Sequence, residues 1–245
     1  MSPTKLKLHF ISLDDSFIVS AKKWITQSTQ MICEKIDVSL LPREGRAFIS
    51  PANSFGFMDG GIDNVLRNMF PGCEPKIKSR IRELNQRTNL GRPYLRIGSA
   101  HWLGVSTNTV LVSAPTMFLP HDVSKTDNAY WAMMAILMIS ERIPASYGIH
   151  TLVIPSLCCG WGGMRGEVSI RQMVDAYDDW CDRVVPKIFK DVTEPTQGWL
   201  LLESRDLEQP DNYDNREILE TNMNTNTNQK TDKSAFEYKH IKVTL

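Results

Sequence analysis

The chain has no net charge, because 28 basic side chains balance 28 acidic ones across 245 residues. That removes a global electrostatic case for a nucleic-acid or membrane-surface partner and leaves only local patches. No apolar run is long enough to span a bilayer. The opening Met-Ser-Pro-Thr-Lys-Leu-Lys-Leu also lacks the uninterrupted apolar stretch of a secretory signal. Cysteine is sparse and odd in number (Cys33, Cys73, Cys158, Cys159, Cys181), with no repeated spacing. A disulfide framework is therefore not expected, and reduced thiols point to the cytoplasm or nucleus. Neither these cysteines nor the five histidines show metal-ligand spacing, so no metal and no cofactor are expected. No internal repeat is present, and nothing points beyond a monomer. What remains is an ordinary apolar fraction of 42% and a length that buries one substantial core.

Within that ordinary composition, residues 46–70 stand out. An apolar run (Ala47, Phe48, Ile49) ends at Pro51. A loop follows with Asn53, Gly56, Gly60 and Gly61, and then apolar residues recur at helical spacing in Ile62, Val65, Leu66, Met69 and Phe70. Strand, glycine loop and helix start form a layout in which bare backbone N–H groups can close on a phosphate. A second such loop, 155–163, follows the fully apolar Thr151-Leu152-Val153-Ile154 and carries Gly160, Gly162 and Gly163. Neither loop contains lysine or arginine, so the cradle would rely on backbone dipoles.

The remaining pattern reads as alternating strands and helices. Strands are expected at 6–13, 46–50, 96–103, 109–114, 151–154 and 199–202. Helices are expected at 17–25, behind an Asp14-Asp15-Ser16 cap, and at 62–70, 75–87, 130–143 and 168–189. This alternation implies an α/β fold: three α/β/α layers around a mixed, mostly parallel central sheet. In such sheets ligands settle where loops leave the carboxyl ends of strands, so the two glycine loops are expected to meet across one cleft. The domain is expected to span 1–203. Residues 204–245 form a polar tail expected to be disordered, with a low-grade strand pattern at 236–243.

Asn53 can donate and accept hydrogen bonds, which suits a sugar hydroxyl or a positioned water, and equally suits an Asx-turn. Asp63 opens a helix, where a carboxylate is favoured by the dipole; beside a sugar it would be a base or an orienting group. Pro51-Ala52-Asn53, the loop 56–61 and Ile62-Asp63 resemble the macro domain fingerprint, an Asn-Ala-Ala-Asn stretch followed by a glycine run and Val-Asp. Residues 155–163 are similar to that family's second loop, and the likeness covers roughly residues 5–203. Within that family the chain resembles the fungal macro-like group assigned as ADP-ribose 1''-phosphate phosphatases.

The resemblance implies an ADP-ribose cleft, with free ADP-ribose, its 1''-phosphate or an ADP-ribosylated protein as the partner. Adenine would sit near Asp14 or Asp15. The diphosphate would lie between Ala52, Gly60, Gly61 and Ile62 on one side and Ser156, Leu157, Cys158, Cys159, Gly160, Trp161 and Gly162 on the other. Asn53 and Asp63 would be the catalytic pair beside the distal ribose, releasing phosphate from the 1''-phosphate. A reader without turnover and an ADP-ribosyl-protein hydrolase are the alternatives. The sequence departs from the family at Phe57-Met58-Asp59, where glycines are usual, and Asp59 is expected to face solvent. It departs again at Trp161, one position before the family's usual ring, and the second loop has no histidine.

A competing pattern is Cys159-x5-Arg165, the spacing of a cysteine phosphatase loop, although no histidine precedes it and Gly166 follows the arginine. His101, at a strand end, reads as a packed or exposed histidine. Met133, Met134 and Met138 read as core filling.

Overall fold

A computed structural model of the chain describes residues 6–25, 30–87 and 94–182, all within a compact unit running Met1–Lys187. Six strands form the sheet: β1 (Lys7–Ser12), β2 (Met31–Lys35), β3 (Arg46–Ser50), β4 (His101–Ser106), β5 (Thr109–Ser113) and β6 (Thr151–Pro155). Five helices accompany them: α1 (Asp15–Trp24), α2 (Gly61–Met69), α3 (Cys73–Arg87), α4 (Asn128–Ser140) and α5 (Gly166–Cys181). The strand order is β2-β1-β6-β3-β5-β4. Every pair is parallel except the β4–β5 hairpin at the edge.

The two faces of the sheet are sorted by the strands' alternation. Ala47, Ile49, Val110, Val112, Leu152 and Ile154 pack with α1, α4 and α5 in one buried cluster. Phe48, Leu111 and Val153, the residues between them, pack with α2, α3 and the 3-10 turn Val38–Leu40 in the other. A strand buried on both faces has no polar side, which is why β5 and β6 read as uninterrupted apolar runs. The result is the expected three-layer α/β/α arrangement with a mixed, mostly parallel sheet.

Two elements differ from expectation. No strand is expected at 31–35, yet β2 extends the sheet beyond β1; its exposed Ile32, Glu34 and Lys35 give it the polarity of an edge strand rather than of a core strand. The strand expected at 96–103 forms instead at His101–Ser106, because it is a hairpin partner whose limits follow the Thr107-Asn108 turn and a register shift between Gly104 and Ser106. The end of the helix expected to 189, the strand at 199–202, the boundary at 203, the tail and the pattern at 236–243 lie outside the described residues.

Candidate functional site

Because the five parallel strands run the same way, their carboxyl ends share one edge of the sheet, and the segment after each of them reaches a single cleft of about 550 Å³. Ser12–Asp14 follow β1, Ile36–Val38 follow β2, Pro51–Asn53 and Asp59–Asp63 follow β3, Thr116 and Met117 follow β5, and Ser156 with Cys158–Trp161 follow β6. The two glycine loops thus face one another. Trp161 is 76% exposed, and its indole Nε1 lies 3.6 Å from where a Cβ on Gly60 would stand. Among the expected site residues, Asp14, Ala52, Asn53, Gly60, Gly61, Ile62, Asp63, Ser156, Cys158, Cys159, Gly160 and Trp161 all line this cleft. Leu157 and Gly162 do not line it. Leu157 is fully buried in the core, and Gly162 is wedged behind the loop, where a Cβ would stand 2.5 Å from the Cys158 carbonyl oxygen.

The first loop is shaped by a side chain. Asn53 Oδ1 accepts the amides of Phe55 at 3.0 Å and Phe57 at 3.4 Å, the Asx-turn arrangement. Its carbonyl oxygen is therefore committed to the loop, while Nδ2 makes only a 3.5 Å contact to Phe57 O. Gly56, at φ +73°, packs so closely on α3 that a Cβ would meet Ile77 at 2.8 Å. The loop delivers α2 with Gly60 at its N-cap and no side chain capping it. Its first amides are thus left for an anion.

The second loop is shaped by its backbone. Cys158 takes φ +63°, a left-handed conformation unusual for a side chain other than glycine. Its carbonyl accepts Met164 N–H at 3.0 Å, and Gly163 N–H closes on Gly160 O at 3.1 Å. Ser169 Oγ on α5 donates to Leu157 O at 2.6 Å and pins the loop from behind. The amides of Gly160, Trp161 and Gly162 have no acceptor among the described residues. Ser156 Oγ approaches Ser12 Oγ at 3.3 Å across the cleft floor.

Asp63 is the chemically distinctive group. It sits in the first turn of α2, and Ser50, fully buried at the end of β3, donates to its Oδ1 at 2.5 Å. Burial pushes the carboxyl up to about 7, against the Ser50 hydrogen bond, and the nearby Asp59 charge adds to the rise. Asp59 is exposed as expected, but it stands at the cleft rim rather than away from it. Among the described residues, four aspartates (Asp14, Asp37, Asp59, Asp63) and no lysine, arginine or histidine line the cleft. An anionic ligand would therefore be held by main-chain N–H groups and by neutral side-chain donors such as Ser12, Ser156 and Asn53 rather than by cations.

Asp14 caps α1 and borders the cleft, whereas Asp15 turns to Lys35 at 2.6 Å. The Cys159–Arg165 pair does not assemble. Burial pushes the Cys159 thiol up to about 11 and the Cys158 thiol up to about 12, the reverse of what a thiolate nucleophile requires. Arg165 is largely exposed, beside Glu167 at 3.8 Å, and does not line the cleft. His101 is packed inside, with burial holding it down to about 4.

Sequence reasoning missed the wall Ile36-Asp37-Val38, because it missed β2. The signal was present in Asp37-Val38-Ser39, which has the same Asp-x-Ser form as Asp14-Asp15-Ser16. It also missed Thr116 and Met117, which reach the cleft through an isolated bridge between Asn53 and Met117.

No family model matches the chain. Solved structures similar to it include the macrodomain of Mycobacterium tuberculosis DarG, at 17% identity and TM-score 0.46, covering 60% of this chain and 89% of that one. Thermosipho africanus DarTG in complex with ADP-ribose matches at 14% identity and TM-score 0.44, over 66% of this chain and 48% of that one. A protein of unknown function from Bacteroides thetaiotaomicron matches at 12% identity and TM-score 0.40, over 70% of this chain and 90% of that one. Two of these three solved structures are thus a macrodomain and a complex with ADP-ribose.

Proposed function

We propose that the chain is a macro-type domain that binds ADP-ribose or a derivative in this cleft and hydrolyses ADP-ribose 1''-phosphate to ADP-ribose and phosphate. The observation that carries the reading is the convergence of two glycine loops and one uncapped helix N-terminus on a single cleft without cations. A pyrophosphate is the ligand group that such a ring of amides fits. In this reading the pyrophosphate lies between the loops, the adenine lies toward Asp14, and the distal ribose lies beside Asn53 and Asp63. Asp63, poised near neutrality, takes a proton from the water that attacks phosphorus; the P–O bond to the anomeric oxygen breaks, that oxygen takes up a proton from solvent water, and Asp63 later releases its proton to solvent. Backbone amides carry the charge stabilisation.

A second reading, binding without turnover, draws on two features. Asn53 Oδ1 is already occupied by the loop, and no cation lines the cleft to meet a departing phosphate. Titration calorimetry with ADP-ribose followed by a phosphate-release assay on the 1''-phosphate separates the two. Saturable heat and release that Asp63→Ala abolishes are the expected results. Heat without release leaves a reader or an ADP-ribosyl-protein hydrolase. Heat only with a different nucleotide overturns the ADP-ribose reading.

A further inference from the structure

A row of polar side chains runs across the sheet beneath α2 and α3, starting at Asp63 and leading away from the cleft. The strand pairing sets Ser50 of β3 opposite Ser113 of β5, and Ser113 opposite His101 of β4. These three residues share the parity of Phe48, Leu111 and Leu103, which pack toward α2 and α3, so their side chains lie on that same face. Ser50 and Ser113 are fully buried, and His101 is 4% exposed. The Ser50 end is paired, its hydroxyl donating to Asp63 Oδ1 at 2.5 Å. The rest is not. Ser113 Oγ and both ring nitrogens of His101 close no hydrogen bond among the described residues, although the Trp102 main chain lies near the ring. Polar atoms this deeply buried are rarely left so, because their desolvation is then uncompensated.

Successive members of the row stand one strand apart, about 4.8 Å, a gap that a hydroxyl crosses to its neighbour by way of one shared water. The direction of donation follows from the carboxylate. Asp63 accepts from Ser50, so the Ser50 oxygen can accept in its turn from the Ser113 side. Ser113 can then accept from a ring N–H. A neutral imidazole always carries one such N–H, and His101 is held neutral by burial and by the Arg80 charge on α3. The charges acting on the two ends of the row are thus Asp59, beside Asp63, and Arg80, beside His101. Every hydrogen along the row points toward Asp63, and aligned hydrogen bonds strengthen one another.

We infer that His101 is a positioning residue for Asp63: its ring N–H, acting through Ser113, holds the Ser50 hydroxyl as a donor to the Asp63 carboxylate. The inference rests on the reading of Asp63 as the base that takes the water proton, and adds to it the residues that keep that base ready. No proton travels along the row; the row orients. Donation to a carboxyl favours its charged form, so the row opposes the burial that pushes Asp63 up and keeps carboxylate present at neutral pH.

The test follows the Asp63 carboxyl itself, by carbon-13 NMR titration of the full chain without ligand, with Asp63→Asn assigning the resonance. His101→Phe keeps a buried ring and removes the donor. Ser113→Ala breaks the row by deleting one oxygen, and thermal melts check that both variants fold. Each is expected to raise the Asp63 midpoint by about half a pH unit or more, and His101→Gln, which returns an N–H, to recover part of the rise. The rising limb of kcat/KM for phosphate release should move with the midpoint. A midpoint unmoved in folded Ser113→Ala overturns the inference, and this variant decides alone should His101→Phe fail to fold. A shifted midpoint in a chain that releases no phosphate sustains the row and overturns only the reading of Asp63 as a base.

Discussion

The two glycine loops face each other across one cleft, yet they are built on opposite plans. The loop after β3 is organised by the Asn53 side chain, which gathers the Phe55 and Phe57 amides onto one oxygen. The loop after β6 is organised by main-chain conformation, with Cys158 forced left-handed and Gly162 set against the Cys158 carbonyl. The first loop spends a polar side chain on its own shape and hands the ligand a helix N-terminus. The second stores backbone strain and hands the ligand loose amides. On the proposed reading, one anion-binding cleft therefore rests on two kinds of support, and they should fail differently under mutation.

The largest effect is expected at the second loop. Gly162→Ala would place a methyl 2.5 Å from a carbonyl and 2.7 Å from Val123 Cγ2, and a backbone oxygen cannot swing aside. The expected outcome is loss of about 2 kcal/mol of stability and a fall of about a hundredfold in ADP-ribose affinity, read by thermal melt and calorimetry. Gly160→Ala, with open space around it, should bind within about threefold of wild type. Equal damage from the two substitutions would erase the distinction between packed and free glycines in this loop.

Next in size is Asp63→Asn. If Asp63 moves the water proton, phosphate release should slow by about a hundredfold or more while ADP-ribose affinity changes less than about tenfold. The pH dependence has a definite sign. Because the folded carboxyl titrates near 7 and the unfolded one near about 4, the native state holds the extra proton between those values. Asp63 therefore lowers stability as pH rises through that window, and its cost is complete above pH 7. Asp63→Asn should accordingly be more stable than wild type by about 1–3 kcal/mol at pH 8, with the gap closing near pH 4. In the wild type, kcat/KM should climb through about pH 7; a flat profile would remove Asp63 from the role of base.

Asn53→Ala tests the first loop's plan. It strands the Phe55 and Phe57 amides and should cost about 1–2 kcal/mol, with Asn53→Asp restoring part of it because the accepting oxygen returns. Ser169→Ala is the counterpart behind the second loop, removing the hydrogen bond to Leu157 O, and should cost about 1 kcal/mol. The smallest effect is expected from Cys159→Ser, since the Cys159 thiol is held protonated and Arg165 points to solvent. Turnover should stay within about twofold, and a loss of activity there would revive the cysteine phosphatase pattern.

Legibility in the sequence followed burial. Strands β3 and β6 and the body of α4 were readable because a segment packed on both sides carries an unbroken apolar signature, as Ala47–Ile49, Leu152–Ile154 and Met133–Leu137 do, whereas α2 was readable from the helical spacing of Ile62, Val65, Leu66 and Met69. Strand β2 escaped because an edge strand leaves Ile32, Glu34 and Lys35 exposed, and with it escaped Asp37. The Cys159–Arg165 spacing was visible, but spacing alone does not say whether a guanidinium curls inward or meets Glu167 at the surface. Asn53 was visible too, but its partners lie two and four residues away in a turn whose closure no composition rule fixes.

By itself the sequence determined most local pieces: the buried strands and the helices, where the glycine loops fall, and that neither loop carries a cation, because propensity and periodicity are short-range properties of the chain. Only the tertiary structure decided that five strand ends share one edge, that the loops 100 residues apart oppose each other, and that Asp63 titrates near neutrality. The physical reason is that strand order and desolvation are set by what packs against a residue from elsewhere in the chain, and a carboxyl's proton affinity reports that surrounding rather than its own neighbours in sequence.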